Sequence, residues 1–527
     1  MDKDKIKTRF DRAKAERQLV EAEIDEAYRW IHGTSFINPD ARPDRSHIFD
    51  TTAETAVGDL VTTTMTHLLP QDKRWVTFQT NSRFRAEFGS SSEMDLMLGQ
   101  FEEQFYEHVN GSEFYLASAE SKFDAFISGT GAIGVTAASD EGLYYQALPI
   151  YQIYYLSSGC DIDVVFRLHK LPARTIVERY QRAPDWVRDL SRDKPDEQIE
   201  IIESMVPAKK RGHFEYQVWT KKDWTEISAT TCPYKPFIVY RVDKSNGATC
   251  WSGSPVRTAL ADIRSVNQIM KDLLEDAEFI ARPTYLVADN GVAMPDSYKS
   301  GQFILVDQST MDSIKPLPRS GDLNVHVGQI QSLRDSINRA LMQDVLPQGD
   351  RMTTAEVQVR TEKFFRRIGV HAIRLEEEFL QPLVRSTVAA LQKSGLILNR
   401  IVLDGDPAYP KVDPRQTIIM STRSLLQRVE AQAEVDRVLG TVFAASRLGQ
   451  EGLMHVNLNK VGRYIFEKSN FPVSLMRSQE EVDQMIKAAQ ATQAISGIMQ
   501  TRSGQGSPET SKATGEAIAG VLGQLDK

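Results

Sequence analysis

The sequence predicts a mainly helical α+β protein of several domains. Three observations carry that reading: helical periodicity over most of the chain, alternating strand patterns between residues 135 and 242, and two long amphipathic helices that bracket a small β-rich insert. The 527 residues are 41% hydrophobic and 25% charged, a composition that excludes disorder throughout. That length suffices for roughly two to four buried cores. With 63 Lys+Arg against 71 Asp+Glu the formal charge is −8, which excludes a basic nucleic-acid coat. Apolar runs are as short as Phe303-Ile304-Leu305-Val306, far below the ~20 residues that cross a bilayer, so no membrane contact is expected. The charged start Met1-Asp2-Lys3-Asp4-Lys5 carries no apolar signal region, and Cys160, Cys232 and Cys250 have no paired spacing. Both point to synthesis in a cytosol with the thiols buried. The nine histidines form neither an HExxH motif nor a ligand cluster, so neither metal nor cofactor is expected.

Residues 5–32 place Ile6, Phe10, Leu19, Ile24, Ala27 and Ile31 at irregular helical spacing before Gly33, which predicts one exposed, peripheral helix. Asp50 to Leu69 follows as a helix with Val57, Leu60, Val61, Met65 and Leu68 on one side, stopped by Pro70; Trp75 to Thr80 alternates as a strand. Helices are expected from Glu93 to Val109 and from Glu113 to Ile127. Val135–Ala138 and Leu143–Leu148 flank Asp140-Glu141-Gly142 as a hairpin, and Tyr151–Leu156, Val164–His169, Phe214–Thr220 and Phe237–Val242 add strands. Lys209-Lys210-Arg211 and Lys221-Lys222 sit at strand turns as solvated basic tips.

Pro255 opens a helix to about Ala281, with Leu260, Ile263, Val266, Met270, Leu273, Ala277 and Ile280 recurring every three or four residues. An insert follows with turns at Asp289-Asn290-Gly291 and Ser300-Gly301 and a strand at Phe303–Val306. The second long helix runs from His326 to Leu346 with Val327, Ile330, Leu333, Ile337, Leu341 and Val345 in register. A break at residues 347–352 precedes Thr353 and Glu356, spaced as a capping box, which restart a helix that reaches Lys393 and should bend at Gly369 and Pro382. Arg423–Leu448 and Gln479–Met499 are further helical patterns, and a Gly/Ser-rich tail begins at Ser503.

Ser128-Gly129-Thr130-Gly131-Ala132-Ile133-Gly134 contains a formal GxGxxG. A phosphate cradle needs a strand before the glycines and a helix after them, whereas here a helix precedes and a strand follows. With no P-loop, GxSxG or SxxK either, no catalytic residue is predicted. A broken rule is more informative: the 255–281 helix carries Asp272, Glu275, Asp276 and Glu278 in its last two turns, where the macrodipole favours cations. Asp272, Glu275 and Asp276 lie opposite Leu260, Ile263, Met270 and Leu273 on the helical wheel. One face packs and the other is acidic. Such a face is either simply solvated or a negative wall past which DNA slides without phosphate-neutralising contacts.

Three stretches, taken in order, resemble the podovirus head-to-tail connector, the portal protein family of tailed phages. They are Phe126-Ile127-Ser128-Gly129-Thr130-Gly131-Ala132; Thr231-Cys232-Pro233-Tyr234-Lys235-Pro236-Phe237, leading through Arg241 to the 257–281 helix; and Gly349-Asp350-Arg351-Met352-Thr353-Thr354-Ala355-Glu356 followed by Leu380-Gln381-Pro382-Leu383-Val384-Arg385. The resemblance covers about residues 50–395. It implies a portal-protein fold in a ring of about twelve subunits. The wing would take residues 1–254, the two-helix stem 255–281 and 326–346, the β-containing clip 282–325 and the channel loop 347–352. A long kinked wing helix and connection would take 353–414, the helical crown 415–500 and a tail 501–527.

The resemblance further implies that Gly349, Asp350, Arg351 and Met352 form a DNA valve, although an additional Thr between Met352 and Ala355 shifts the loop register by one residue. Leu260, Ile263, Met270, Leu273, Ile330, Leu333, Ile337 and Leu341 would pack stem against stem, because a narrow apolar stripe finds its partner on a neighbouring copy. Arg282, Lys299, Lys315 and Arg319 of the clip would meet tail adaptor proteins or the terminase packaging motor. The implied partners also include major capsid and scaffolding proteins and double-stranded DNA read without sequence specificity. The implied place is the portal vertex of the virion, assembled in the host bacterial cytoplasm. Two alternatives remain: another oligomeric virion protein of the tail or internal core, and a nucleotide-binding enzyme using Gly129–Gly134.

Overall fold

A computed structural model describes residues 3–71, 74–80, 92–138, 142–158, 161–243, 247, 249–282, 285–288, 303–306, 315–316, 323–343, 371, 373–396, 401–403, 418–447, 461–462, 464–465 and 485. The fold is mixed α+β and mainly helical. Two units divide it, Met1–Thr77 with Gln104–Leu425, and Phe78–Glu103 with Leu426–Lys527.

The expected single, exposed helix over residues 5–32 is instead two helices, α1 (Lys3–Gln18) and α2 (Glu21–His32), and neither is peripheral. On α1 the stripe Ile6, Phe10 and Ala13 is at most 1% exposed. Arg17 extends it. The Arg17 guanidinium lies 4.3 Å from the Tyr154 ring centroid and 4.6 Å from that of Phe36, donates to the Tyr151 carbonyl at 2.6 Å, and pairs with Glu21 at 2.8 Å. A buried cation so satisfied is a rivet rather than a defect. Gly33 ends α2 in the left-handed conformation (φ 70°), its N–H on the Arg29 carbonyl.

Next come α3 (Thr52–Leu68), β1 (Val76–Thr80), α4 (Ser92–Asn110), α5 (Phe114–Ser128), β2 (Thr130–Ala138) and β3 (Gly142–Ala147). β4 (Ile153–Ser158), β5 (Asp161–Pro172), α6 (Ala173–Arg179), α7 (Asp185–Asp193), β6 (Gln198–Pro207), β7 (Phe214–Thr220), β8 (Glu226–Cys232) and β9 (Phe237–Arg241) follow. β4 to β8 form an antiparallel sheet in sequence order. Its two faces are covered by different helices, as strand alternation requires. Phe166, Ile202, Val206 and Trp219 meet α1, while Ile199, Ile201, Val218 and Ile227 meet Ala173, Ile176, Ala183 and Val187 of the α6–α7 segment. A second sheet, in the order β3-β2-β9, packs on α5.

Gly129 and Gly131, at the join of α5 and β2, serve packing. Gly129 caps α5 at φ 94°, and a Cβ there would lie 2.5 Å from the Gly253 carbonyl oxygen. A Cβ on Gly131 would overlap the Tyr240 ring. Neighbouring amides are already committed, Val135 N–H to the Pro236 carbonyl at 2.9 Å and Leu148 N–H to that of Ala132 at 3.0 Å. The order helix, glycine, strand leaves no cradle for a phosphate.

The remaining elements of this unit are α8 (Pro255–Ala281), β10 (Tyr285–Ala288), β11 (Phe303–Val306), β12 (Lys315–Pro316), α9 (Leu323–Ala340), a π-helical turn at Leu375–Leu380, α10 (Gln381–Lys393), β13 (Ile401–Leu403) and β14 (Ile418–Ser424). β10 pairs parallel with β11 and antiparallel with β12. α9 stops at Ala340 rather than continuing to residue 346, and Met342 takes a left-handed φ of 63°. The expected helix start at 353 lies outside the described residues. In the second unit, α11 (Leu425–Arg447) replaces the expected 423–448 helix, with Val435 buried and Phe443 71% exposed. The 479–499 pattern, Met485 apart, and the tail fall outside the described residues.

Cys232 is buried and Cys250 half-buried, and both are free; Cys160 lies outside the described residues. Burial pushes the Cys250 thiol up to about 11, and its Sγ donates to the Tyr155 carbonyl at 3.4 Å. Among the described residues no group of side chains could hold a metal ion, and no helix is long and apolar enough to cross a membrane.

One buried charge gives a test. Lys122 of α5 has no hydrogen-bond partner among the described residues, and burial brings its ammonium down to about 7. The folded chain therefore binds fewer protons than the unfolded one between about pH 7 and 10.5, and stability rises with pH across that window. Lys122→Met is expected to raise stability at pH 7 by about 2–4 kcal/mol, the gain fading towards pH 10, as read by urea unfolding at both values.

Candidate assembly surface on two paired helices

α8 begins with a full set of start signals. Ser254 Oγ accepts from the Arg257 N–H at 3.0 Å, and Pro255 stands at the first helical position. The same hydroxyl donates to the Ile127 carbonyl at 2.7 Å, which ties the helix start to the end of α5. Val256, Ala259, Leu260, Ile263, Val266 and Asn267 are buried against the chain's own helices. Arg257 pairs with Glu23 and Arg264 with Glu26, both on α2, and the Arg264 guanidinium holds the Glu26 carboxyl below its ordinary range.

Asn267 closes this buried half. Its Oδ1 accepts from the N–H groups of Phe49 and Asp50 at 2.7 and 2.9 Å, and its Nδ2 donates to the Ile263 carbonyl at 2.8 Å. Asp50 in turn accepts from Thr52 N–H at 2.9 Å and from Arg334 of α9 at 2.8 and 2.7 Å. Burial pushes the Asp50 carboxyl up, but Thr52 and the Arg334 guanidinium outweigh it and leave the group below its usual value. Ser336 donates to Asp262 at 2.7 Å, a second polar tie between α9 and α8. This latch was not legible beforehand, and the signal for it was a lone Asn one turn beyond Ile263 on the packed side.

From Gln268 onward no residue of α8 is buried. Asp272 and Glu275 are exposed, Asp276 is half-buried, Gln268 donates to Asp272 at 2.8 Å, and Lys271 lies 3.9 Å from Glu275. The acidic face expected on this half is therefore at the surface. The apolar stripe divides. Leu260 and Ile263 are 4% and 1% exposed and pack inside their own chain. Ile330, Ile337 and Leu341 are likewise no more than 4% exposed, while Leu333, Met270 and Leu273 are half-buried. The reason is geometric: the first half of α8 and the second half of α9 lie within the body, where α2, α3 and α5 cover them. Among the described residues of the pair, the large apolar side chains left in water are Leu274 (52%), Ile280 (61%) and, on α9, Val327 (56%).

The cations expected on the insert are only partly described. Arg282 is exposed at the end of α8, Lys315 sits in β12 opposite Leu286, and Lys299 and Arg319 lie outside the described residues. Gly349, Asp350, Arg351 and Met352 lie outside them too.

A helix pair half sunk in the body and half in water, with bare apolar residues beside an acidic face, is suited to holding another protein. Residues 3–476 match the family described as bacteriophage head to tail connecting protein, and the chain belongs to it. No curated protein sequence matches the chain. Membership makes this a structural protein of the phage particle, a connector of head and tail.

Arg334→Ala should destabilise the chain by about 1–3 kcal/mol at neutral pH, measured by urea unfolding. The Asp50 carboxyl, depressed on folding, contributes stability above its unfolded value and loses it as pH falls through its folded value. The midpoints of parent and variant should accordingly converge in acid.

Proposed function

We propose that the chain is a portal, a ring of about twelve copies around a passage for double-stranded DNA, which docks the packaging terminase during filling and the tail afterwards. The observation that carries this reading is the family match over residues 3–476. In it the wing takes residues 1–254 with the long helix and connection of 353–414, and the stem takes α8 and α9. The clip takes 282–325, the channel loop 347–352, the crown 415–500 and the tail 501–527. Scaffolding and major capsid proteins surround the ring, and assembly takes place in the bacterial cytoplasm.

The physical support lies in the water-exposed halves of α8 and α9. Leu274, Ile280 and Val327 are large apolar side chains at more than half exposure, with half-buried Met270 and Leu273 beside them. A heterologous contact, in which one copy offers one side of the helix pair to a different side of the next, removes all of them from water and leaves no free interface once the ring closes. The exposed carboxylates of Asp272 and Glu275 then repeat around the bore. Carboxylates outnumber the lone Lys271 on that face, so few phosphates release counterions there and DNA slides instead of sticking. Arg351 is the exception. A ring of that arginine supplies a place where the passage grips DNA.

Native mass spectrometry tests the reading: rings near twelve copies are expected, and a stable monomer at micromolar concentration would sink it. Leu274→Asp combined with Ile280→Asp should abolish rings while leaving far-ultraviolet circular dichroism unchanged, since neither residue is buried in the subunit. Normal rings from that variant would remove the stem contact. Arg351→Ala is expected to assemble normally but to yield particles that lose packaged DNA faster; unaltered retention would remove the valve.

A further inference from the structure

α1 is a basic island: its 16 residues hold seven Lys and Arg against three Asp and Glu, in a chain whose formal charge is −8. Arg17 is spent inside the body. Lys3, Lys5, Lys7, Arg12 and Lys14 are exposed, and among the described residues none of the five forms an ion pair. Exposed cations elsewhere do pair, Arg45 with Glu54 at 2.5 Å, Lys170 with Asp40 at 2.7 Å and Arg174 with Asp196 at 3.2 Å. The excess charge of α1 therefore has water for its neighbour.

Packing puts three of these lysines in one row. Lys3, Lys7 and Lys14 fall within about 40° of one another on the helical wheel, beside the buried stripe of Ile6, Phe10 and Ala13. That side of α1 meets the turn between β7 and β8, where Lys3 Nζ donates to the Asp223 carbonyl at 2.8 Å and Lys221 Nζ stands 4.7 Å from the Phe10 ring centroid. The tip expected to be solvated at Lys221 is thus laid against α1. Burial lowers its ammonium, Glu200 and Asp11 hold it up, and Lys14 is close enough to push it down again. Against those two carboxylates the ridge sets four lysines.

We propose that the row of Lys3, Lys7 and Lys14, together with Lys221, is a docking surface for the phosphate backbone of double-stranded DNA. From Lys3 to Lys14 the helix advances about 16 Å, over which one strand of a duplex presents about five phosphates. Lysine suits this task, because its flexible ammonium meets a phosphate as a point charge. A protein partner is held around a desolvated apolar centre, whereas the outward side of α1 offers Thr8, Asp11, Arg12 and Ala15. The one ring of α1, Phe10, is buried, so nothing on the helix stacks on a base and contact is independent of sequence. The surface lies on α1 and not on the α8–α9 pair, so it stands whether or not copies close into a ring.

Filter binding of the full chain to a relaxed, covalently closed circular duplex tests it, because a closed circle cannot thread a bore. Lys7→Gln, Lys14→Gln and Lys221→Gln together should weaken binding about tenfold at about 50 mM KCl and flatten the slope of log K against log salt by about 2.7, or about 0.9 for each phosphate contact. Lys209→Gln with Lys210→Gln and Arg211→Gln removes the same charge at the other end of β7 and should leave the slope unchanged. If Lys221→Gln does not fold, the Lys7→Gln and Lys14→Gln pair decides, with an expected slope change of about 1.8. Absence of binding in the parent, an unchanged slope in the α1 variant, or equal losses in the two triple variants would overturn the proposal. Tighter binding of polyglutamate than of the duplex would overturn it too, and would assign the surface to an acidic protein.

Discussion

The rest of the molecule depends on the sinking of half a helix. α8 has 27 residues, about 40 Å of rod at 1.5 Å per residue, and only the half up to Asn267 has neighbours from its own body to bury it. A rod so placed projects in a defined direction only if its root does not rock. Asn267 and Asp50 supply that rigidity, since each is buried and each reaches beyond its own element, Asn267 Oδ1 to the N–H groups of Phe49 and Asp50, and Asp50 to Arg334 of α9. Removal of any one partner leaves a buried polar group without a bond, which costs more than the bond gains.

The core of the fold was legible wherever one face of an element repeats cleanly. The helix from Pro255 to Ala281 matches its expected limits, because Ser254, Pro255 and a stripe every three or four residues all agree. α1 was misread as peripheral for an instructive reason. Its buried stripe is one side chain wide, and the lysines and arginines that flank it dominate the local composition. The sequence does not signal β6, α6 and α7: the helices have 7 and 9 residues, too few for periodicity to stand out, and the interior strand is buried on both faces from Ile201 to Val206, Glu203 and Ser204 included, so its pattern does not alternate.

The candidate site was half legible. A helical wheel shows which residues share a face, so the exposure of Asp272 and Glu275 followed from spacing alone. It does not show whose atoms cover that face. Leu260 and Met270 belong to one stripe, yet the first is buried in its own subunit and the second is half open, because the body of the protein ends between them. Pro382 announced an irregularity in its helix, but the form taken, one added residue rather than a hinge in open solvent, was decided more than a hundred positions away by Arg241, which donates to Glu378 at 2.9 Å, and Tyr240, whose ring lies 4.6 Å from that of Phe379.

The setting of Cys250 has a chemical consequence. A thiol held at about 11 is ionised to roughly one part in ten thousand at neutral pH, and only the thiolate attacks oxidants or other sulfurs. With Cys232 buried and its own thiol raised by that burial, neither sulfur is reactive as it stands. Neither of these two sulfurs therefore offers a thiolate for cross-linking when the protein passes from reducing surroundings into air.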